Sequence, residues 1–359
     1  MGRHRITLVP GDGAGPEIVE AARRAVEATG VGIDWEVQEA GAAVTEREGT
    51  PVPERLLASI RANRVALKGP LGVPSPGAPN PNVTLRTELD LYAGVRPCRS
   101  FPGVPSPYEG VDVVVIRENT EGSYTGVELE QGTTETSELL GFIERTTGER
   151  VRPDSGLSIK AISVGASRRI ARFAFGYARA HGRRKVTVGH KANIMKLSDG
   201  LFLETTRAVA AEHPDIAFED RIIDNLAMQL VQRPDAFDLL LLPNLYADIV
   251  ADLCAGLVGG LGLAPAADVG DDRAVFDAQH AILAADPGPD RANPIALMLA
   301  GAMMLRHVGE PEAADRLEAA VAAVVAEGRV VPADLKPTPS GAASTAQVRD
   351  AVIRELLSR

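Results

Sequence analysis

Ile6-Thr7-Leu8-Val9-Pro10-Gly11-Asp12-Gly13-Ala14-Gly15-Pro16 opens the chain as an apolar run followed by a glycine-rich loop. Glu17–Thr29 follows with apolar residues at Ile18, Ala22, Ala25 and Val26, a helical period, and Gly30 ends it. The order is strand, loop, helix, and it recurs downstream. Val111–Ile116, β-branched at every position but Asp112, is read as a buried strand. Arg168–His181 reads as a helix stopped by Gly182, Lys185–Gly189 as a strand and Leu201–Glu212 as a helix. Phe237–Leu242 is a further strand, Tyr246–Leu257 a further helix, and Ile295–His307 and Glu312–Glu327 two more helices. Alternating strands and helices predict an α/β protein with a largely parallel sheet.

The glycine loop alone identifies no ligand. It departs from the dinucleotide fingerprint G-x-G-x-x-G, because its third glycine comes too early and Pro16 follows it. On spacing alone a tight strand-to-helix turn is the better reading. Size and composition narrow the classes further. The 359 residues suit two or three domains, and 45% hydrophobic with 24% charged residues is ordinary for a globular protein. The net charge of −10 argues against general nucleic-acid binding, which needs a basic face. Cys98 and Cys254 stand alone without metal-type spacing, so a disulfide scaffold is not expected and a reducing cytoplasm is. The basic opening Met1-Gly2-Arg3-His4-Arg5 runs into a strand and not into a signal core. Apolar runs such as Leu239–Leu242 are far shorter than the ~20 residues of a membrane helix. Residues 253–267 are apolar but broken by glycines and Pro265, and read as buried packing and loop. Residues 128–160 are more polar and less regular than their flanks and read as an insertion.

Acidic and basic residues at particular places carry the chemistry. Asp248 and Asp252 are four apart in a predicted helix, so both carboxylates share a face. Such a pair repels unless a cation sits between, and all-oxygen ligands suit Mg²⁺ or Mn²⁺. An isolated pair is more often a solvated helix face, but the surroundings here are apolar. Asp224 emerges from another apolar segment. Arg86, Arg96 and Arg117 each close an apolar or extended run, and Arg117 ends the strand Val111–Ile116, where α/β folds place ligand groups. Guanidinium forks suit carboxylates, although any one arginine could form a plain surface ion pair. Lysines number six against 32 arginines, so Lys191, just after a strand, stands out from its background. Tyr124, one of five tyrosines, sits in a glycine-rich segment, where a packed aromatic is the plainer alternative.

These residues lie in motifs that resemble one family. Pro10-Gly11-Asp12-Gly13, Lys68-Gly69-Pro70-Leu71, Leu85-Arg86, Asp90-Leu91-Tyr92-Ala93-Gly94-Val95-Arg96-Pro97, Arg117-Glu118-Asn119-Thr120-Glu121-Gly122, His190-Lys191-Ala192-Asn193-Ile194-Met195-Lys196, Asn244-Leu245-Tyr246-Ala247-Asp248 and Gly259-Gly260-Leu261-Gly262 occur in order along nearly the whole chain. Together they resemble the β-decarboxylating dehydrogenases, the isocitrate/isopropylmalate dehydrogenase family. Asn82-Val83-Thr84-Leu85-Arg86 followed by Leu89-Asp90-Leu91-Tyr92 is most similar to the isocitrate enzymes. The resemblance implies an α/β isocitrate/isopropylmalate dehydrogenase-like fold with two α/β domains sharing a central sheet. The large domain would be 1–91 with 260–359, the small one 92–121 with 164–259, and 122–163 a clasp that interlocks two subunits of a homodimer.

The resemblance also implies roles. Arg86, Arg96 and Arg117 would clamp a small-molecule substrate's carboxylates, with Asn80, Asn82 and Asn193 as further substrate-binding residues. Asp248 and Asp252, with Asp224 from the second subunit, would hold Mg²⁺ or Mn²⁺. Lys191, also from the second subunit, would help remove the hydroxyl proton, and Tyr124 would protonate the enolate carbon after CO₂ leaves. Both need pKa values pulled toward neutrality, an effect expected from a metal, nearby arginines and burial. Val73, Asp277, His280, Asp286, Ala292 and Asn293 would line the nicotinamide cofactor.

Departures from the family pattern matter too. Asn80 stands where isocitrate enzymes carry Ser, and Val73 where they carry Thr near the nicotinamide. The changed lining suits isocitrate with neutral drift, homoisocitrate, or a phosphonate analogue such as 3-phosphonomethylmalate of phosphonate biosynthesis. His280-Ala281-Ile282-Leu283-Ala284-Ala285-Asp286-Pro287-Gly288 rewrites the adenosine loop. An acid near the ribose diol favours NAD over NADP. A regulatory subunit without catalysis is the reading of another class, and the retention of Tyr124, Lys191, the three aspartates and the three arginines argues against it.

Overall fold

The computed structural model describes residues 3–73, 78–279, 288–336 and 341–359. Its strands are β1 (His4–Val9), β2 (Ile33–Val37), β3 (Val65–Lys68), β4 (Ala93–Arg99), β5 (Asp112–Glu118), β6 (Glu128–Leu129), β7 (Leu157–Ser158), β8 (Lys185–His190), β9 (Ala217–Ile222), β10 (Leu239–Leu242), β11 (Pro265–Val269) and β12 (Ala274–Ala278). Ten of them form one sheet in the order β2-β1-β3-β12-β11-β4-β5-β10-β8-β9. Strands from both ends of the chain occupy one side, and strands from its middle occupy the other. The two runs meet where β11 pairs with β4, Ala267 opposite Val95.

The outer ladders are parallel, as the strand–helix alternation predicts. The central ones, β12–β11, β11–β4 and β4–β5, are antiparallel. Part of the segment read as packing and loop, 253–267, is therefore the start of β11. Its alanines and leading proline give neither alternation nor β-branching, so no strand signal survives. The four leucines of β10 are fully buried between β5 and β8, which is why that run is continuous and not alternating.

Helices begin earlier than apolar periodicity alone predicts. The first runs Gly15–Glu27 and takes in Pro16, whose missing N–H costs nothing in the first turn. The helix Val164–Ala180 starts four residues before Arg168, where Ser163 Oγ accepts the Ala166 N–H at 3.1 Å. Inside the inserted segment, β6 pairs with β7, and a helix, Thr134–Thr147, lies between them. Only Thr136 of that helix is buried, so its apolar residues have no core within this chain. Among the described residues, no helix is long and apolar enough to cross a membrane.

The glycine loop packs backbone to backbone on residues 69–70. Asp12 N–H donates to Pro70 C=O and Gly69 N–H to Val9 C=O, both at 2.8 Å. A Cβ on Gly69 would stand 2.2 Å from Pro10 O, and one on Gly11, at φ +80°, 2.4 Å from Pro70 O. Gly69→Ala is therefore expected to lower stability by about 1–3 kcal/mol. Gly176→Ala, in an exposed helix position with nothing within 4 Å of its added methyl group, should instead raise stability by about 0.5–1 kcal/mol. Urea denaturation of the two variants checks both signs.

Candidate active site

Arg117 is buried at the end of β5 and faces the first turns of the helix Asn244–Leu257. Its Nε donates to Asn244 Oδ1 at 2.9 Å, and its Nη1 to Asp248. The other oxygen of Asp248 accepts the Tyr124 hydroxyl, and the Arg117 guanidinium lies 4.8 Å from the Tyr124 ring centre. Tyr124 is carried on the short 3₁₀ turn Ser123–Thr125. Two residues from one loop and strand thus converge on one helical carboxylate.

Arg86 and Arg96 approach the same place. Burial, and then the nearby charges of Arg86 and Arg96, lower the Arg117 pKa, so the three guanidiniums are close enough to repel. Their charge is balanced by a residue that the sequence reading did not single out. Asp268, buried on β11, accepts Arg86 Nε through Oδ2 at 2.8 Å. Its Oδ1 accepts Arg96 Nη2 at 2.8 Å and Asn119 Nδ2 at 3.0 Å. Burial alone would raise the Asp268 carboxyl, but Arg86 and Arg96 outweigh it and hold it far below the usual carboxylate range. Asn119 lies in a motif quoted above, yet nothing in its spacing assigns it a role.

Burial acts on Tyr124 in the opposite sense from the sequence expectation. A buried phenol resists ionisation, and Asp248 adds to the effect, so its pKa is raised and not drawn toward neutrality. Tyr124 is a weak acid that keeps its proton in this environment.

Lys191 and Asp224 form a separate pair, Nζ to Oδ1 at 2.6 Å. The Lys191 ammonium holds the Asp224 carboxyl below its usual range. No hydrogen bond or ion pair joins this pair to the Tyr124–Asp248–Arg117 group among the described residues. Asp252, one turn beyond Asp248 and exposed, accepts Gln279 Nε2 at 2.8 Å. Asp248 and Asp252 supply the hard oxygen donors that Mg²⁺ or Mn²⁺ take, but no cluster of three acidic, His or Cys side chains able to hold a metal occurs among the described residues of one chain.

Asn80 caps the helix Pro81–Glu88, its Oδ1 accepting the Asn82 N–H at 2.9 Å and the Val83 N–H at 3.4 Å. That leaves its amide N–H groups without a partner among the described residues. Asn82 Oδ1 is buried without a partner among the described residues. Asn193 is exposed beside Lys191. Of the residues expected to line the cofactor, Val73 is half exposed. Asp277 is engaged by buried Lys68 at 2.7 Å. Asn293 Nδ2 donates to Asp334 at 2.9 Å. Ala292 is fastened by its backbone, its N–H to Glu17 Oε1 at 3.1 Å and its C=O to the Thr345 hydroxyl at 2.6 Å. His280 and Asp286 lie outside the described residues.

Comparison with known proteins identifies the family and the fold. A family model described as isocitrate/isopropylmalate dehydrogenase matches residues 5–352. The mitochondrial isocitrate dehydrogenase (NAD) catalytic subunit 5 of Arabidopsis thaliana is 43% identical over 98% of this chain and 88% of its own length. The mitochondrial isocitrate dehydrogenase (NAD) regulatory subunit 1 of the same plant is 44% identical over 98% and 89%. The crystal structure of isocitrate dehydrogenase from Methylococcus capsulatus superposes with a TM-score of 0.90 at 47% identity, covering 98% of this chain and 99% of that one.

The Lys68–Asp277 pair joins β3 to β12 through a buried charge. Asp277→Asn leaves a buried ammonium without its counter-charge, and a loss of about 3–5 kcal/mol is expected. Thermal unfolding of this variant beside Asp271→Asn, in the turn next to β12, separates a buried-pair effect from a general charge effect.

Proposed function

The chain belongs to the isocitrate/isopropylmalate dehydrogenase family, and from that membership we propose that it oxidatively decarboxylates an isocitrate-type 2-hydroxy-3-carboxy acid, with NAD as oxidant and Mg²⁺ or Mn²⁺ as metal. The observation that carries this reading is Asp248, one carboxylate joined to both Arg117 and Tyr124. It joins a guanidinium, a carboxylate and a phenol in one hydrogen-bonded group, which supports reading them as substrate cation, metal ligand and proton donor.

In the proposed reaction Arg86, Arg96 and Arg117 bind and orient the substrate carboxylates. Asp248 and Asp252 would hold the metal, which would supply Lewis acidity toward the 2-hydroxyl and the ketone formed from it. Val73, Asp277, Ala292 and Asn293 would line NAD, which would supply the acceptor for the hydride lost from C2. Lys191, as the neutral amine, helps remove the hydroxyl proton, and Tyr124, whose phenol holds its proton, gives that proton to the carbon left by CO₂. Lys191 and Asp224 complete the site from the partner subunit of a homodimer. Support for two subunits comes from exposed apolar side chains near these residues, Ile194, Leu197, Met228 and Ile249, and from the unburied helix of the insertion, read as an interlocking clasp.

The distal group of the substrate is set by the surroundings of Asn80. Its free amide donors favour an acceptor-rich group, which leaves isocitrate, homoisocitrate and 3-phosphonomethylmalate as the candidates. The two cysteines are free and buried, in keeping with a reducing, cytoplasmic setting. A purely regulatory role is disfavoured, since the proton donor, the aspartates and the arginines are all retained.

Absorbance of reduced nicotinamide is the assay, with NAD and NADP against the three candidate acids and 3-isopropylmalate. Turnover with NAD and Mn²⁺ on one of the first three is expected, and its abolition by a chelator. Tyr124→Phe should lower kcat by about 10²–10⁴-fold with KM little changed. Absence of turnover with every acid would return the chain to the regulatory reading.

A further inference from the structure

Asp268 raises a question that a site for anions does not ordinarily pose: a buried negative charge stands among its arginines. β11 lays Asp268 opposite Gly94 of β4. A Cβ at Gly94 would meet Asn119 Oδ1 at 3.0 Å and Arg117 Cβ at 3.1 Å, so the ladder brings the acid against the arginines with no room to spare. Asp268, Arg96 and Asn119 are all nearly inaccessible.

The donors can be counted. Arg96 Nη1 reaches Ala267 C=O at 2.8 Å and Val95 C=O at 3.1 Å, and its Nη2 reaches Asp268 at 2.8 Å. Three of its five N–H groups are therefore occupied by the fold. Arg86 gives Nε to Asp268, and its two Nη groups have no hydrogen-bond partner among the described residues, so both can face a ligand. Arg117 is held at Nε by Asn244 and at Nη1 by Asp248. The free guanidinium edge of the site belongs chiefly to Arg86. The buried Arg86–Arg96–Asp268 group carries two positive charges and one negative, so it presents a net charge of one and not two.

We propose that Asp268 sets the charge selectivity of the substrate site, holding Arg86 and Arg96 in place while lowering the site's preference for a tricarboxylate over a dicarboxylate of the same 2-hydroxy-3-carboxy class. The proposal rests on the functional reading above for the location of the site. A ligand carboxylate bound on the Nη edge of Arg86 sits next to a carboxylate already in place. Each further negative group on the ligand feels that repulsion in a region shielded from water, where it is strongest. Asp268 is thus a positioning residue for two arginines and, through their charge, a selector among substrates.

Asp268→Asn tests this, because it keeps shape and one acceptor while removing the charge. Equilibrium titration of the full-length protein with isocitrate and with 3-isopropylmalate gives two dissociation constants for each variant. The ratio between variant and wild type cancels the different shapes of the two acids. The expected result is a shift of about tenfold in relative affinity toward isocitrate. Asp268→Ser, smaller and neutral, should shift the ratio in the same direction and serves if the asparagine variant does not fold. Equal weakening of both acids would overturn the proposal and leave Asp268 as a structural brace alone. A ratio moved toward 3-isopropylmalate would overturn it as well. Binding is read without turnover, so an inactive but ligand-binding protein would contradict the functional reading and leave the charge test intact.

Discussion

Arg117 at the end of β5 is the interaction on which the site depends. A guanidinium buried beside two others is unfavourable unless carboxylates offset it. The fold meets this demand from two directions. The helix Asn244–Leu257 brings Asn244 and Asp248 to Arg117, and β11 brings Asp268 to Arg86 and Arg96. The antiparallel turn of the sheet at β12–β11–β4–β5 follows from the same requirement, because it places β11 directly against β4. Charge compensation and sheet topology are two aspects of one arrangement.

That arrangement fits the chemistry of the family. Asp248 is bonded to Arg117 and Tyr124 in the chain by itself, and metal binding has to share or replace those bonds. The groups proposed as proton donor, substrate cation and metal ligand, Tyr124, Arg117 and Asp248, are therefore hydrogen-bonded to one another in the chain by itself. Lys191 and Asp224 stand apart as a second, self-neutralised pair. Each half of the proposed machinery is hydrogen-bonded within itself, which suits the proposal of a site completed by association of two chains.

Much of this was legible in the sequence wherever the relation is local. The i,i+4 spacing of Asp248 and Asp252 put them on one helical face, and the β-branched run before Arg117 marked a buried strand ending at a ligand position. The motifs carried the family, and with it the grouping of the three arginines. What stayed hidden was non-local. Asp268 meets Arg96 across 172 residues, and Lys68 meets Asp277 across β3 and β12. An alanine-rich strand such as β11 has no periodicity of its own, so neither its existence nor the burial of its aspartate could be read from spacing. Helix starts were missed for a local reason, since capping serines and first-turn prolines carry no apolar pattern. The helix in the insertion was missed because its apolar residues have no core in this chain to be patterned against.

The proposed catalytic site takes Tyr124 and Asp248 from one chain and Lys191 from another. The most direct test mixes two inactive proteins, Tyr124→Phe and Lys191→Ala, under conditions that allow subunits to exchange. In a two-fold dimer with shared sites, random mixing gives mixed dimers in which one of the two sites is intact. Recovery of about one quarter of wild-type activity is then predicted. No recovery, with subunit exchange shown by mass spectrometry, would contradict the account and place the whole reaction within a single chain.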